Sequence, residues 1–191
     1  ERGRLVVLDV LFHFRLSDPG APIRYADLAD QLGVSLGERV PLAQAREAVL
    51  SQRRSRGMVL DEGDHDTWSC GSFFTNPLVP ERDWPQVQER IAARLGAEVL
   101  GGMPRWPAAS VAGDPLVKLS AAWLIERAGF GKGHGLPGPA ALSTRHTLAV
   151  TNRGGATAAQ LVALAREVRD GVMDAFGVTL VNEPVLVGLS L

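Results

Sequence analysis

The chain has 191 residues, 46% of them hydrophobic, and a formal net charge of −1, which is enough for one sizeable core or two small domains sharing an interface. That near-neutral balance gives no broad field to steer nucleic acid or an anionic membrane surface, so neither is expected as a partner and any anion has to be held by a local cluster. A single cysteine, Cys70, excludes an intramolecular disulfide framework and a cysteine-rich zinc site and fits a cytoplasmic location; no apolar run approaches the ~20 residues of a bilayer span.

Between Arg4 and Leu16 the even positions Val6, Leu8, Val10, Phe12, Phe14 and Leu16 are apolar, the period of a long strand with one buried face. A strand needs a sheet, and with no partner or turn before it the sequence reads as starting partway through a larger protein. After the turn-type run Ser17-Asp18-Pro19-Gly20, a short helix is expected over Ala26–Leu32, stopped by Gly33. A longer one follows from Pro41 to Arg54, with Leu42, Ala45, Val49 and Leu50 on one stripe. Arg53, Arg54 and Arg56 at its end complement the helix dipole in the plainest reading. The acidic loop from Asp61 to Asp66 has residue types that bind metals, but no second cluster completes a site.

The next stretch, Gly71-Ser72-Phe73-Phe74-Thr75 running into Asn76-Pro77, sets a hydroxyl between a glycine and two bulky apolar side chains. It reads as a dry pocket in which the glycine allows close approach of a ligand and the serine donates a proton. Pro80 to Leu95 follows as a helix, with Trp84, Val87, Ile91 and Leu95 facing the core and Gly96 ending it. Gly101 to Pro107 is loop-like, and its Trp106 is either a packing residue or a platform for stacking a base. Leu116 to Ala128 reads as a buried helix carrying Leu119, Trp123 and Leu124. The glycine-studded loop from Gly129 to Gly138 lacks the spacing of a nucleotide fingerprint.

A short strand is expected over Thr147–Thr151, then a helix to Phe176 opened by the capping-box sequence Thr157-Ala158-Ala159-Gln160 and closed by Gly177. Val178 to Val187 reads as a last strand, interrupted by Glu183 before Pro184, a position suited to a sheet edge. A carboxylate there faces either solvent or a site. Strands and helices mix without a regular strand-helix repeat, so the class is α+β.

Three blocks carry a family resemblance: Ser69-Cys70-Gly71-Ser72-Phe73-Phe74-Thr75-Asn76-Pro77, Lys118-Leu119-Ser120-Ala121-Ala122-Trp123-Leu124-Ile125-Glu126, and Leu180-Val181-Asn182-Glu183-Pro184-Val185-Leu186-Val187-Gly188. In this order and spacing the chain resembles the C-terminal half of the UDP-N-acetylenolpyruvoylglucosamine reductase family. The resemblance implies a substrate-binding domain over residues 19–191, preceded in 1–18 by the last strand of an FAD-binding domain whose bulk lies upstream. It also implies the activity: an NADPH-reduced FAD passes hydride to the double bond of UDP-N-acetylglucosamine enolpyruvate, giving UDP-N-acetylmuramate for peptidoglycan.

By the same resemblance Ser72 takes the place of the serine that protonates the adjacent carbon, and Glu183 that of the catalytic glutamate. A neutral hydroxyl beside a flavin does not oppose hydride delivery, and it can release a proton if its alkoxide is stabilised. Tyr25, in Arg24-Tyr25-Ala26-Asp27-Leu28, matches a tyrosine on a mobile loop found in the first of the family's two types. Arg56 stands where the family usually has a diphosphate-binding lysine, and can meet phosphate bidentately. Asn76 matches a substrate-binding asparagine, His146 a substrate-contacting glutamine of some relatives, and Trp106 an aromatic flanking the uracil. Most flavin contacts belong upstream of Glu1, so the isolated chain is expected to be inactive. The rival reading is a non-catalytic sugar-nucleotide-binding module in which Ser72 and Glu183 are structural. A serine hydrolase is excluded, since Ser72 lies in no Gly-x-Ser-x-Gly elbow.

Overall fold

The computed structural model describes residues 5–14, 16–111 and 113–191. They fall into two compact units, 1–59 and 60–191.

In the first unit, residues 5–14 carry no regular secondary structure and are exposed, Leu8 at 92%. The expected strand is therefore not formed; Arg4, where it was to begin, and Arg15 lie outside the described residues. The physical reason is that strand stability resides in cross-strand pairs, and among the described residues nothing pairs with this segment. Beyond it, backbone bonds from Gly20 N–H to Val40 O and from Ile23 N–H to Glu38 O hold two extended stretches together. Helix α1 (Ala26–Leu32) ends on Gly33 in the left-handed region at φ 67°, and α2 (Leu42–Ser55) follows. Ile23, Leu28, Ala29, Val40 and Ala48 form their small core. Leu42, expected on the buried stripe, is 52% exposed, and Ala48 is buried instead.

The second unit contains two three-stranded antiparallel sheets. Strands β1 (Ser69–Ser72), β2 (Leu78–Pro80), β3 (Arg105–Val111), β4 (Asp114–Leu119), β5 (Ala140–Leu142) and β6 (Ala149–Asn152) are arranged β1-β6-β5 and β2-β4-β3. Helices α3 (Trp84–Leu95) and α4 (Ala97–Gly101) lie between β2 and β3, α5 (Ala121–Arg127) follows β4, and α6 (Ala158–Phe176) closes the order. All strand pairs are antiparallel, which is the α+β class. Ile91, Leu119, Leu124, Ile125, Val168 and Phe176 are fully inaccessible at the centre of the core.

Two expectations change here. The stretch read as loop and helix over 101–128 holds a β-hairpin: β4 pairs with β2 and β3 on its two sides, and α5 starts only where Ser120 Oγ accepts Trp123 N–H at 3.3 Å. Leu116, Leu119, Trp123 and Leu124 mimic a helical stripe, but Leu119 ends the strand and Leu124 belongs to the helix. The expected last strand shrinks to one bridge, Phe74 with Asn182. Pro184 has no N–H to continue a ladder, and the Asn182 amide turns to donate to Pro184 O at 2.8 Å.

Candidate functional site

The cleft is built on the bridge between residues 73–75 and 181–183. Thr75 N–H donates to Val181 O at 3.0 Å and Glu183 N–H to Phe73 O at 2.8 Å. In this antiparallel pairing Glu183 lies opposite Phe73, one residue from Ser72. The two side chains line one cleft of about 610 Å³ together with Phe74, Asn76, Lys118 and Leu148, a size typical of small-ligand sites. Ser72 also borders a smaller hollow of about 400 Å³ with Cys70, Gly71, Glu183 and Pro184.

Asn76 has a defined orientation. Its Oδ1 accepts the Ala121 N–H at 2.9 Å, which leaves the Nδ2 group as a donor with no partner among the described residues. Lys118 is a site residue that the sequence alone does not single out, because only strand pairing places it here: β4 sets it across from Leu78 on one side and Trp106 on the other. Neither Lys118 nor Glu183 has an ion-pair partner among the described residues, so the cleft offers one ammonium and one carboxylate to a ligand.

The cleft is wetter than the dry pocket expected. Phe73 and Phe74 are 5% and 2% exposed and packed edge to face at 5.1 Å, Phe74 lining the cleft and Phe73 a neighbouring apolar hollow. Ser72 is half-buried and Glu183 exposed. Beside them, partial burial pushes the Cys70 thiol above its ordinary value, and the Glu183 charge adds to the shift, so the thiol stays neutral and does not compete with Ser72 for a charged role.

The other candidates lie elsewhere. Trp106 is in β3, 48% exposed, next to the cleft through its cross-strand neighbour Lys118; the cation beside it in sequence, Arg105, instead sits over Trp84 at 5.6 Å. His146 is half-buried in a turn whose Arg145 and His146 N–H groups both donate to Ser143 Oγ. That turn leads into Leu148, whose carbonyl accepts from Phe73 N–H. In the first unit, Tyr25 is the N-cap of α1 and 77% exposed. Arg56 caps α2 and reaches Asp27 in the first turn of α1 at 3.3 Å. Tyr25 and Arg56 thus share one corner of their unit.

The acidic loop is structural. Among the described residues no group of three potential ligands is poised to hold a metal. Asp66 instead accepts from the Thr144 backbone N–H at 2.8 Å, from the Thr144 hydroxyl and from Arg153 Nη1 at 3.0 Å, and Asp64 pairs with Arg145 at 2.7 Å.

An α+β domain with a hydroxyl, an amide, an ammonium and a carboxylate lining one cleft has the make-up of the domains with which enzymes hold polar ligands. The model of the C-terminal domain of UDP-N-acetylenolpyruvoylglucosamine reductase matches residues 63–187, and the chain belongs to that family. It is similar to proteins named UDP-N-acetylenolpyruvoylglucosamine reductase from Thermobifida fusca, 58% identical over 190 residues, and Streptomyces coelicolor, 57% identical over 192, each match covering 100% of this chain. A third, from Saccharopolyspora erythraea, is 58% identical over 97% of the chain. The chain spans about half the length of these curated relatives, 51%, 48% and 50%. No helix among the described residues is long and apolar enough to cross a membrane.

Proposed function

We propose that this chain is the C-terminal, substrate-binding portion of a cytoplasmic FAD- and NADPH-dependent reductase that converts UDP-N-acetylglucosamine enolpyruvate to UDP-N-acetylmuramate in peptidoglycan precursor synthesis, the step that supports cell shape and division. Family membership and the names of the relatives support the reaction; the observation that carries the residue roles is that Ser72 and Glu183, 111 positions apart in the chain, line one cleft. The remainder of the FAD-binding domain is the partner the reading requires, with residues 1–18 contributing its last strand.

The backbone beside Ser72 leaves room for the flavin to approach: a Cβ on Gly71 would meet nothing within 4 Å, so that flank of the site is open. The flavin, when bound, supplies the hydride. Ser72 then donates its Oγ proton to the carbon next to the one that receives hydride, and its alkoxide is restored by solvent, which reaches the half-buried side chain. Glu183 orients or protonates the enolate end of the intermediate. Asn76 Nδ2 and the Lys118 ammonium bind polar and anionic groups of the substrate. Tyr25 donates a hydrogen bond to the diphosphate and Arg56 binds it, exchanging Asp27 for phosphate. His146 contacts the substrate, and Trp106 flanks the uracil.

The test is Ser72→Ala in the full-length reductase, with the two half-reactions followed separately. Flavin reduction by NADPH should be unchanged, while reoxidation by substrate slows by ~10²-fold or more, the scale of a lost positioned general acid. Equal slowing of both steps would refute the role.

A further inference from the structure

The pairing of β1 with β6 contains an irregularity that decides where Ser72 points. Ser69 is opposite Thr151 and Ser72 opposite Ala149: three residues advance on β1 while two advance on β6. Side chains alternate along a strand, so residues three apart belong on opposite faces, yet these two stand opposite partners on the same face of β6. The extra residue is a β-bulge, and bulges re-aim side chains. Without it, Ser72 would fall on the face of Val150 and Asn152, which border a separate apolar hollow, instead of the cleft that holds Glu183.

The bulge has two visible supports. Gly71 takes φ 82°, a left-handed value that other residues adopt at a cost. The Gly71 N–H, which the bulge withdraws from the ladder, donates to Ser69 Oγ at 3.2 Å. A hydroxyl that captures the backbone N–H two residues on is a local device for fixing a turn. Ser69 does not line the cleft but borders the apolar hollow; its hydroxyl acts on the backbone.

We propose that Ser69 is a positioning residue for proton transfer: its Oγ locks the Cys70-Gly71 bulge, and the bulge swings the Ser72 hydroxyl from the apolar hollow into the cleft. The inference rests on the role given to Ser72 above. It predicts a separation of effects that a merely structural serine would not produce.

The experiment compares Ser69→Ala, Ser69→Thr and Ser72→Ala in the full-length reductase. Ser69→Ala should slow flavin reoxidation by substrate by ~10-fold to 10²-fold, as expected for a reacting group displaced by a fraction of an ångström to an ångström, with flavin reduction by NADPH and substrate Kd unchanged. Ser69→Thr keeps an acceptor at the same atom and should recover most of the loss. Exchange of the Gly71 amide with solvent should accelerate in Ser69→Ala and return toward normal in Ser69→Thr. Unchanged reoxidation in Ser69→Ala while Ser72→Ala is slow overturns the inference, as does equal slowing of both half-reactions or failure of threonine to rescue. If Ser72→Ala itself leaves reoxidation unchanged, the role of Ser72 is wrong, and the Gly71 exchange rates alone decide whether Ser69 holds the bulge.

Discussion

Asp66 is the most tightly committed charge in the second unit, with its side chain 7% exposed and Arg153 at 3.0 Å. Burial raises its pKa, but the hydrogen bonds from Thr144, one from Ser143 and the charge of Arg153 outweigh it and hold the carboxyl at about 2, against an ordinary 3.8. Because the folded value is depressed, its stabilisation is present above pH ~4 and is lost as pH falls toward 2; the shift is worth ~2 kcal/mol. Asp66→Asn should therefore cost ~2 kcal/mol at pH 7 and much less at pH 2 to 3, measured by urea unfolding; an equal cost at both pH values would sink the assignment. Cys70 gives a second check at this scale, being the only cysteine. The nearby Glu183 charge raises its pKa, so Glu183→Gln should lower it and speed alkylation by iodoacetamide at pH 7.5. An unchanged rate would mean that residue 183 does not sit beside β1.

At the scale of elements, α6 shows packing overriding propensity. Gly171 lies inside this 19-residue helix, where glycine costs ~1 kcal/mol relative to alanine. A Cβ there would stand 2.3 Å from Phe130 Cζ, and that ring is packed edge-on to His134, itself 2.9 Å from Glu167 on α6. Gly171→Ala should thus destabilise by ~1 kcal/mol or more despite the better helix former, as overpacking does; a raised melting temperature would show that the Phe130 loop yields freely. The capping box at Thr157 and the glycines at 33, 96 and 177 made α1, α3 and α6 legible in the sequence, because those signals are local. The β3-β4 hairpin was not, since Leu116 and Leu119 sit at helical spacing from Trp123 and β4 exists only through pairing with β2 and β3. The same limit applied to the site. Ser72, Asn76 and Glu183 could be singled out by residue type and motif and they do converge, whereas Lys118 needed a strand register, and the placement of Ser72 needed a bulge that no local pattern announces.

On the scale of the whole molecule, the two units carry very different shares of buried apolar surface. Among the described residues, five buried side chains make the core of the smaller unit and twenty that of the larger. The match to the C-terminal-domain model, 63–187, falls wholly within the larger unit. A chain of ~60 residues buries a fraction of its surface that leaves it marginal, while one of ~130 residues supports an independent core. A fragment comprising 60–191 should therefore fold alone, with a single cooperative transition in urea by both far-ultraviolet circular dichroism and tryptophan fluorescence. It keeps all four tryptophans, Trp68, Trp84, Trp106 and Trp123, so fluorescence reports the same core in fragment and parent. Residues 1–59 alone should show no such transition, because α1 and α2 are 7 and 14 residues long, near or below the length at which isolated helices persist in water. A fragment 60–191 that melts gradually, or a fragment 1–59 that melts cooperatively, would show that the chain is divided in the wrong place.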